Sequence, residues 1–384
     1  MQLDLFDDKK IAKISNDIGM EKMVKKTLKA ISLFSCIGVA EYYLKSIGID
    51  VLVASDIDKK RCDVHKFLYP DTTMVCGDIR TDETKQVILD KVKDTKIDLV
   101  IATPPCQGMS SVGKNRSYSK LISQKDDRNF LILESFKIID SLQPKFILFE
   151  NVPRILKVLI PYKGKALTII DILKEKYGNE YDICAEVFNC ANYGVPQSRE
   201  RCFIRLSKKG LKWPTPKRDS HVITLREAIG DLPSLEAGES SSLKNHWARI
   251  HPKSQVEWLK HTPTGCSALD NARFFPKKSN GERVKAYGNC YKRMTWDAPS
   301  PTVTMRNEIM SSQDKVHPGR DLGNGLWSDA RVLTLRELLI VMSLPPDLNL
   351  PTFVSDTALR QYIGEGIPSL MMKKMMEGIC PKQK

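Results

Sequence analysis

The sequence predicts an α/β protein, a doubly wound and mostly parallel sheet with a second, smaller and irregular domain. Three observations carry that expectation. Short apolar runs alternate with longer mixed segments from residue 30 to about 207. Several runs end in a polar or special residue: Ser35, Asp56, Asp78 and Glu150. Beyond residue 207 the rhythm stops, and all five tryptophans and five of the six histidines fall between 213 and 327.

The runs are ISLFS (31–35), DVLVASD (50–56), TTMVCGD (72–78), DLVIATP (98–104), KFILFEN (145–151), AEVFN (185–189) and RCFIRL (201–206). Each is strand length and rich in Val, Ile and Phe. Helix-like stretches such as TDETKQVILDKVKD and RNFLILESFKIIDSL lie between them, the order that puts helices on both faces of a parallel sheet. Ligands in such sheets bind at the carboxyl ends of the strands.

In SLFSCIGVAEYYL (32–44) a strand reads as turning into a helix, with Gly38 allowing close backbone approach and amides that favour a polar ligand. Asp56 follows about twenty residues on, where this fold places an acid for ribose hydroxyls. Asp78 in GDI (77–79) could take an adenine amino group. The glycine-rich dinucleotide signature is absent, so a single nucleoside-like cofactor fits better.

Cys106 stands in ATPPCQGMSSVGKN (102–115), in a turn fixed by Pro104 and Pro105. That setting holds and exposes a thiol, and the polar segment 107–128 suits a lid. Glu150 emerges after four apolar residues, a costly position for a carboxylate unless it is paired or functional. QSRER (197–201) sets Arg199 and Arg201 two apart, on one side of a strand.

The irregular region is expected over 208–330, between an appendage (1–29) with a catalytic domain (30–207) and C-terminal helices (331–384) that return to the first domain. ITLREAIGDLP and LTLRELLIVMSLPPD each read as a helix start, with Thr224 or Thr334 capping and Glu227 or Glu337 bonding back. The segment 272–293 interleaves Lys and Arg with Phe and Tyr, as phosphate contacts and base stacking require. A solvated loop face explains that composition equally well.

Over 384 residues the net charge of +14 favours a polyanionic partner, or simply a basic solvated surface. The N-terminus is charged, with no apolar core of a signal peptide, and no window approaches the ~18 apolar residues of a membrane span. A cytoplasmic location is therefore expected. The ten cysteines are scattered and never form C-x-x-C, so reduced thiols are expected. The histidines show no ligand spacing, so no metal is expected.

In order and spacing SLFSCIGVAE, SDID, GDIR, PPCQG, ENVPR, QSRERCFI, LTLRE and GEGIP resemble the motif series of DNA (cytosine-5) methyltransferases, over residues 31 to 369. The resemblance implies a Rossmann-like fold dependent on S-adenosylmethionine. It implies methylation of C5 on a flipped-out cytosine through a covalent bond from Cys106 to C6. Glu150 would contact N3 and the exocyclic amine, Arg201 the O2 oxygen, and Arg199 would fix the nucleophile and its loop. Phe34 would lie against the adenine, Asp56 on the ribose and Asp78 on the amino group. Gly38 would shape the cofactor loop, Ile57 and Ile79 would form apolar walls, and Pro104 and Leu131 would complete the pocket. Residues 208–330 would grip double-stranded DNA and read the site. The chain is expected to be a monomeric modification enzyme, with a cognate restriction endonuclease as a companion in the same system.

Two positions depart from the family pattern. Cys36 stands where the first loop usually has glycine, a change the backbone accommodates if φ is negative. Glu365 stands where the final motif usually has asparagine. Three other readings compete. A tRNA-directed relative lacks its usual Cys-Phe-Thr here. A catalytically lapsed DNA-binding relative is opposed by intact Cys106, Glu150 and Arg201. A thiol hydrolase or transamidase would need a histidine near the thiol, and His65 is the only one outside the second domain.

Overall fold

The structure is a computed structural model that describes residues 27–105 and 130–380. Seven strands form one sheet: β1 (Leu28–Leu33), β2 (Ile49–Asp56), β3 (Thr73–Cys76), β4 (Leu99–Ala102), β5 (Phe146–Asn151), β6 (Tyr181–Asn189) and β7 (Glu200–Lys208). Their order is β3-β2-β1-β4-β5-β7-β6. β1, β2, β3, β4 and β5 pair in parallel, whereas β7 runs antiparallel to both β5 and β6. All seven apolar runs are strands, and the sheet is mostly parallel.

The central strands alternate their side chains between two cores. Val100, Ala102, Ile147 and Phe149 enter one face, with Ile88 of α2 (Asp82–Asp90) and Ile132, Phe136 and Ile139 of α3 (Leu131–Leu142). α4 (Ile169–Tyr177) adds Ile172 and Leu173 to the same face. Leu99, Ile101, Phe146 and Leu148 enter the other face, under Met371, Met372, Met375 and Met376 of the C-terminal helix α9 (Ser369–Glu377). Burying each such side chain stabilises the fold by about 1.5–3 kcal/mol. That double burial is why these strands read as unbroken apolar runs.

The structure differs from expectation in two places. β1 begins at Leu28, so residues 28–29 belong to the sheet and not to the appendage, while residues 1–26 lie outside the described residues. The segment after β1 forms two 3-10 turns, Val39–Glu41 and Lys45–Ile47, instead of an α-helix. Left-handed residues at Phe34, Cys36, Gly38 and Gly48 break up any longer helical run. The tail forms two helices, α8 (Asp356–Glu365) and α9, parted at Gly366–Pro368 because proline supplies no amide to continue the ladder.

Both T-L-R-E segments start helices with complete capping boxes, at Thr224 and at Thr334. The stretch between them is irregular, held by isolated bridges and by buried ion pairs. Arg331 bonds Asp329 at 2.7 Å and Glu337 at 2.8 Å, all three fully buried. One apolar cluster joins Met294, Trp296 and Val303 of this stretch to Ile37 and Val39 of the loop after β1 and to Leu359 and Ile363 of α8. The two regions therefore share a wall.

Candidate active site

That shared wall borders a cleft of about 1250 Å³ at the carboxyl ends of β1, β2, β3, β4 and β5. Ser35, Asp56, Asp78 and Glu150, the polar residues read at the strand ends, all line it. So do Phe34, Ile57, Ile79, Pro104, Leu131, Arg199 and Arg201. Cys106 and the segment 107–128 lie outside the described residues.

One half of the cleft is apolar and acidic. β2 ends in Asp56, whose Oδ2 accepts from the Cys36 amide at 3.0 Å and whose Oδ1 accepts from the Asp58 amide at 2.9 Å. Asp78 is held by Arg80, with Nη2 to Oδ2 at 2.6 Å, and that guanidinium keeps its carboxyl below the ordinary range. Ile57 is 60% exposed and Ile79 is buried, so an occupant would cover the first and lean on the second. Apolar walls at Phe34, Ile57, Ile79, Pro104 and Leu131 with two acids fit a nucleoside, whose flat base needs apolar faces and whose hydroxyls and amine need acceptors.

Gly38 is not among the cleft-lining residues. It has φ 80, and a Cβ there would come within 2.3 Å of the Tyr69 ring. The Tyr69 hydroxyl donates to the Gly38 carbonyl at 2.6 Å. Glycine is required there by a side chain beneath the loop.

The two departures from the family pattern meet each other. Cys36 does not have a negative φ: at φ 51 it takes the left-handed conformation, which turns its amide to Asp56 and its thiol toward Glu365 Oε2, 3.6 Å away. Glu365 in turn is paired with Arg61 at 2.8 Å, and Arg61 approaches Asp56 at 3.9 Å. Burial raises the Glu365 carboxyl, against the pull of Arg61. Burial also pushes the Cys36 thiol well up, with Glu365 adding to the rise. Cys36 is thus a neutral thiol. Arg61 carried no signal in the sequence, because its partner lies 304 residues away.

The other half of the cleft is polar. Glu150 is buried and faces Arg201, whose Nε lies 3.1 Å from Oε1. Burial raises the Glu150 carboxyl, and Arg201 and Arg199 oppose the rise. Next to it Asn151 donates from Nδ2 to the Pro104 carbonyl at 3.2 Å, which ties the end of β5 to the turn that leads into Cys106. Arg199 and Arg201 share the cleft but differ in setting. Arg201 also bonds the Glu200 carbonyl at 2.7 Å. Arg199 is 2% exposed and donates to the carbonyls of Val303 at 2.6 Å, Gly364 at 3.3 Å and Glu365 at 3.4 Å. It joins the start of β7 to both the irregular region and α8.

Sequence reasoning missed Thr302 and Lys315, which line the same wall. The Thr302 hydroxyl donates to the Ser198 carbonyl at 2.8 Å. His65 is buried against Glu41 at 2.9 Å and is absent from the cleft lining, so it is not the partner a thiol hydrolase would need. Among the described residues no cluster of three His, Cys, Asp or Glu could hold a metal, and no helix is long and apolar enough to cross a membrane.

The family description "C-5 cytosine-specific DNA methylase" matches residues 28–380. The chain is 44% identical over 356 residues to the type II methyltransferase M1.HgaI of Avibacterium volantium, across 93% of this chain and 99% of that protein. It is 30% identical over 359 residues to the type II methyltransferase M1.HphI of Haemophilus parahaemolyticus, across 92% and 87%. Among solved structures, the methyltransferase EhMeth of Entamoeba histolytica superimposes with a TM-score of 0.62 at 17% identity, over 92% of this chain and 98% of that one.

Proposed function

The chain belongs to the C-5 cytosine-specific DNA methylase family, and from that membership we propose a site-specific modification enzyme that uses S-adenosylmethionine, with Cys106 as nucleophile and Glu150 and Arg201 at the target base. The observation that carries this reading is the buried Glu150–Arg201 pair, 3.1 Å apart, in the same cleft as the nucleoside-fitting half.

S-adenosylmethionine, when bound, supplies an electrophilic methyl group on its sulfonium for C5. Asp56 would hold the ribose hydroxyls and Asp78 the adenine amine, with Phe34, Ile57, Ile79, Pro104 and Leu131 around the base. The protein's own residues make C5 nucleophilic. The Cys106 thiolate bonds to C6, and the electron pair of C5=C6 becomes available at C5. Negative charge that develops on the ring at N3 is met by a proton from Glu150, whose carboxyl burial raises above its ordinary value. Arg201 takes the O2 oxygen as that charge grows, and its ion pair keeps Glu150 aimed at the base. Once C5 carries the methyl group, its proton leaves to solvent, the C5=C6 bond re-forms, the thiolate is expelled and N3 returns its proton to Glu150. A stacked cytosine exposes neither ring face, so the base must leave the helix. The irregular region across the cleft, basic and aromatic over 272–293, would hold the duplex. Arg283 sits 3.6 Å over the Phe275 ring and Lys277 5.0 Å from it, a surface that suits phosphate and base contact.

The test uses DNA in which 5-fluorocytosine replaces the target. Fluorine cannot leave as the proton does, so wild type with cofactor forms an adduct stable to denaturation and C106A forms none. Absence of a Cys106-dependent adduct would overturn the assignment. Bisulfite sequencing of DNA from cells expressing the chain supplies the site. The resemblance to type II enzymes further supports a role beside a restriction endonuclease, which methylation-sensitive cleavage in the source cell would reveal.

A further inference from the structure

Lys315 is 5% exposed, yet it lines the cleft on the wall contributed by the irregular region. Its Nζ donates to the Thr302 carbonyl at 2.6 Å. Among the described residues that carbonyl is the one acceptor within hydrogen-bond reach, so two of the three donors of the ammonium have no acceptor there. Its neighbours do not balance the charge. Asp314, next in the chain, is drawn 3.7 Å from Lys292, and Arg199 across the wall is a like charge. Burial, reinforced by Arg199 and opposed by Asp314, pushes the ammonium down to about 8. Three of the other cleft cations each face a carboxylate: Arg61 faces Glu365, Arg80 faces Asp78 and Arg201 faces Glu150. A buried cation without a counter-ion is costly, and this one opens onto the space a ligand would enter.

Its position is fixed relative to the catalytic strand. Thr302 is stapled to Ser198, and Val303 accepts from Arg199 through its carbonyl while its amide donates to Gln197 Oε1 at 3.1 Å. Lys315 therefore stands one residue from the Arg199 anchor, and β7, which carries Arg201, begins directly after it.

We propose that Lys315 binds the DNA phosphodiester that flanks the target cytosine, fixing the backbone of the flipped nucleotide against the cleft wall. This rests on the methyltransferase reading above. An ammonium has three donors and no acceptor, so it matches an anion and not the mixed donor–acceptor edge of a base. The polar edge of the base already has Glu150 and Arg201. The phosphodiester is the one fixed anion that accompanies every nucleotide into the cleft.

The test measures binding of the full-length protein to a duplex carrying the methylated site, with single methylphosphonates scanned along the target strand. Neutralising a phosphate beside the target cytosine is expected to weaken wild-type binding about tenfold and to leave K315M unchanged. K315M should bind the unmodified duplex about tenfold more weakly, and its slope of log affinity against log salt should flatten by about 0.9. K315R should recover most of both, and S-adenosylhomocysteine binding should not change. The proposal is overturned if wild type and K315M respond equally to every methylphosphonate, or if K315M keeps the wild-type salt slope. Should K315M fail to fold, the wild-type scan decides alone: no sensitive phosphate beside the target means no such contact. The 5-fluorocytosine adduct of wild type is read separately, so failure here leaves the assignment of the reaction standing.

Discussion

At the scale of single residues, Glu150 shows how position and protonation serve one end. Its native carboxyl is raised above its ordinary value by burial, in spite of Arg201 and Arg199. The native state then binds that proton more tightly than the unfolded chain does. Stability from this group is present at low pH and is lost as pH rises through the native value. We expect E150Q to lose methyl transfer by at least about 10²-fold. The Tm of wild type relative to E150Q should fall as pH rises above the ordinary carboxyl value of 4.5. Thermal melts above that value test the sign, and a rising difference would contradict it. Cys36 makes a second case. At φ 51 it holds a conformation that suits glycine, so C36G should be tolerated. C36V, β-branched in the left-handed region, should cost about 2 kcal/mol by urea unfolding.

At the scale of elements, the seat of the C-terminal helices is the sensitive contact. A Cβ on Gly366 would meet the Val39 side chain at 2.5 Å, and one on Gly364 would meet the Thr304 carbonyl at 2.4 Å. G366A should therefore push α8 and α9 off the loop after β1. The expected cost is about 2 kcal/mol, together with a weakened affinity for S-adenosylhomocysteine, both readable by calorimetry. The strands were legible because burial on both faces imposes apolar runs, and the helix starts were legible because a capping box is local. The two 3-10 turns were not, since Gly38 answers to Tyr69, a side chain 31 residues on. Arg61 and Lys315 were illegible for the same reason. Their meaning lies in the partner each has or lacks across the cleft, and no periodicity encodes that. The region 208–330 offers no pattern because buried charge pairs hold much of it.

At the scale of the whole molecule, those charge pairs predict acid sensitivity. Burial first, then Arg331, pushes His317 down to about 3, so between its ordinary 6.5 and that value the unfolded chain holds a proton the native chain does not. Glu337, which burial would raise, is drawn down to about 2 chiefly by Arg331. It loses its contribution as pH falls from its ordinary 4.5. Both signs agree, and stability should decline steadily below about pH 6.5. In H317L the upper part of that decline should flatten, as urea midpoints at several pH values would show. Another consequence concerns the making of the protein. Ser369 Oγ donates to the Val39 carbonyl at 2.6 Å across 330 positions, and the methionines of α9 cover the underside of β1 and β4. A chain emerging from the ribosome therefore holds the underside of its first strands bare until residues 369–377 have followed. The wall of the cleft at Val39 is completed only when that late helix docks.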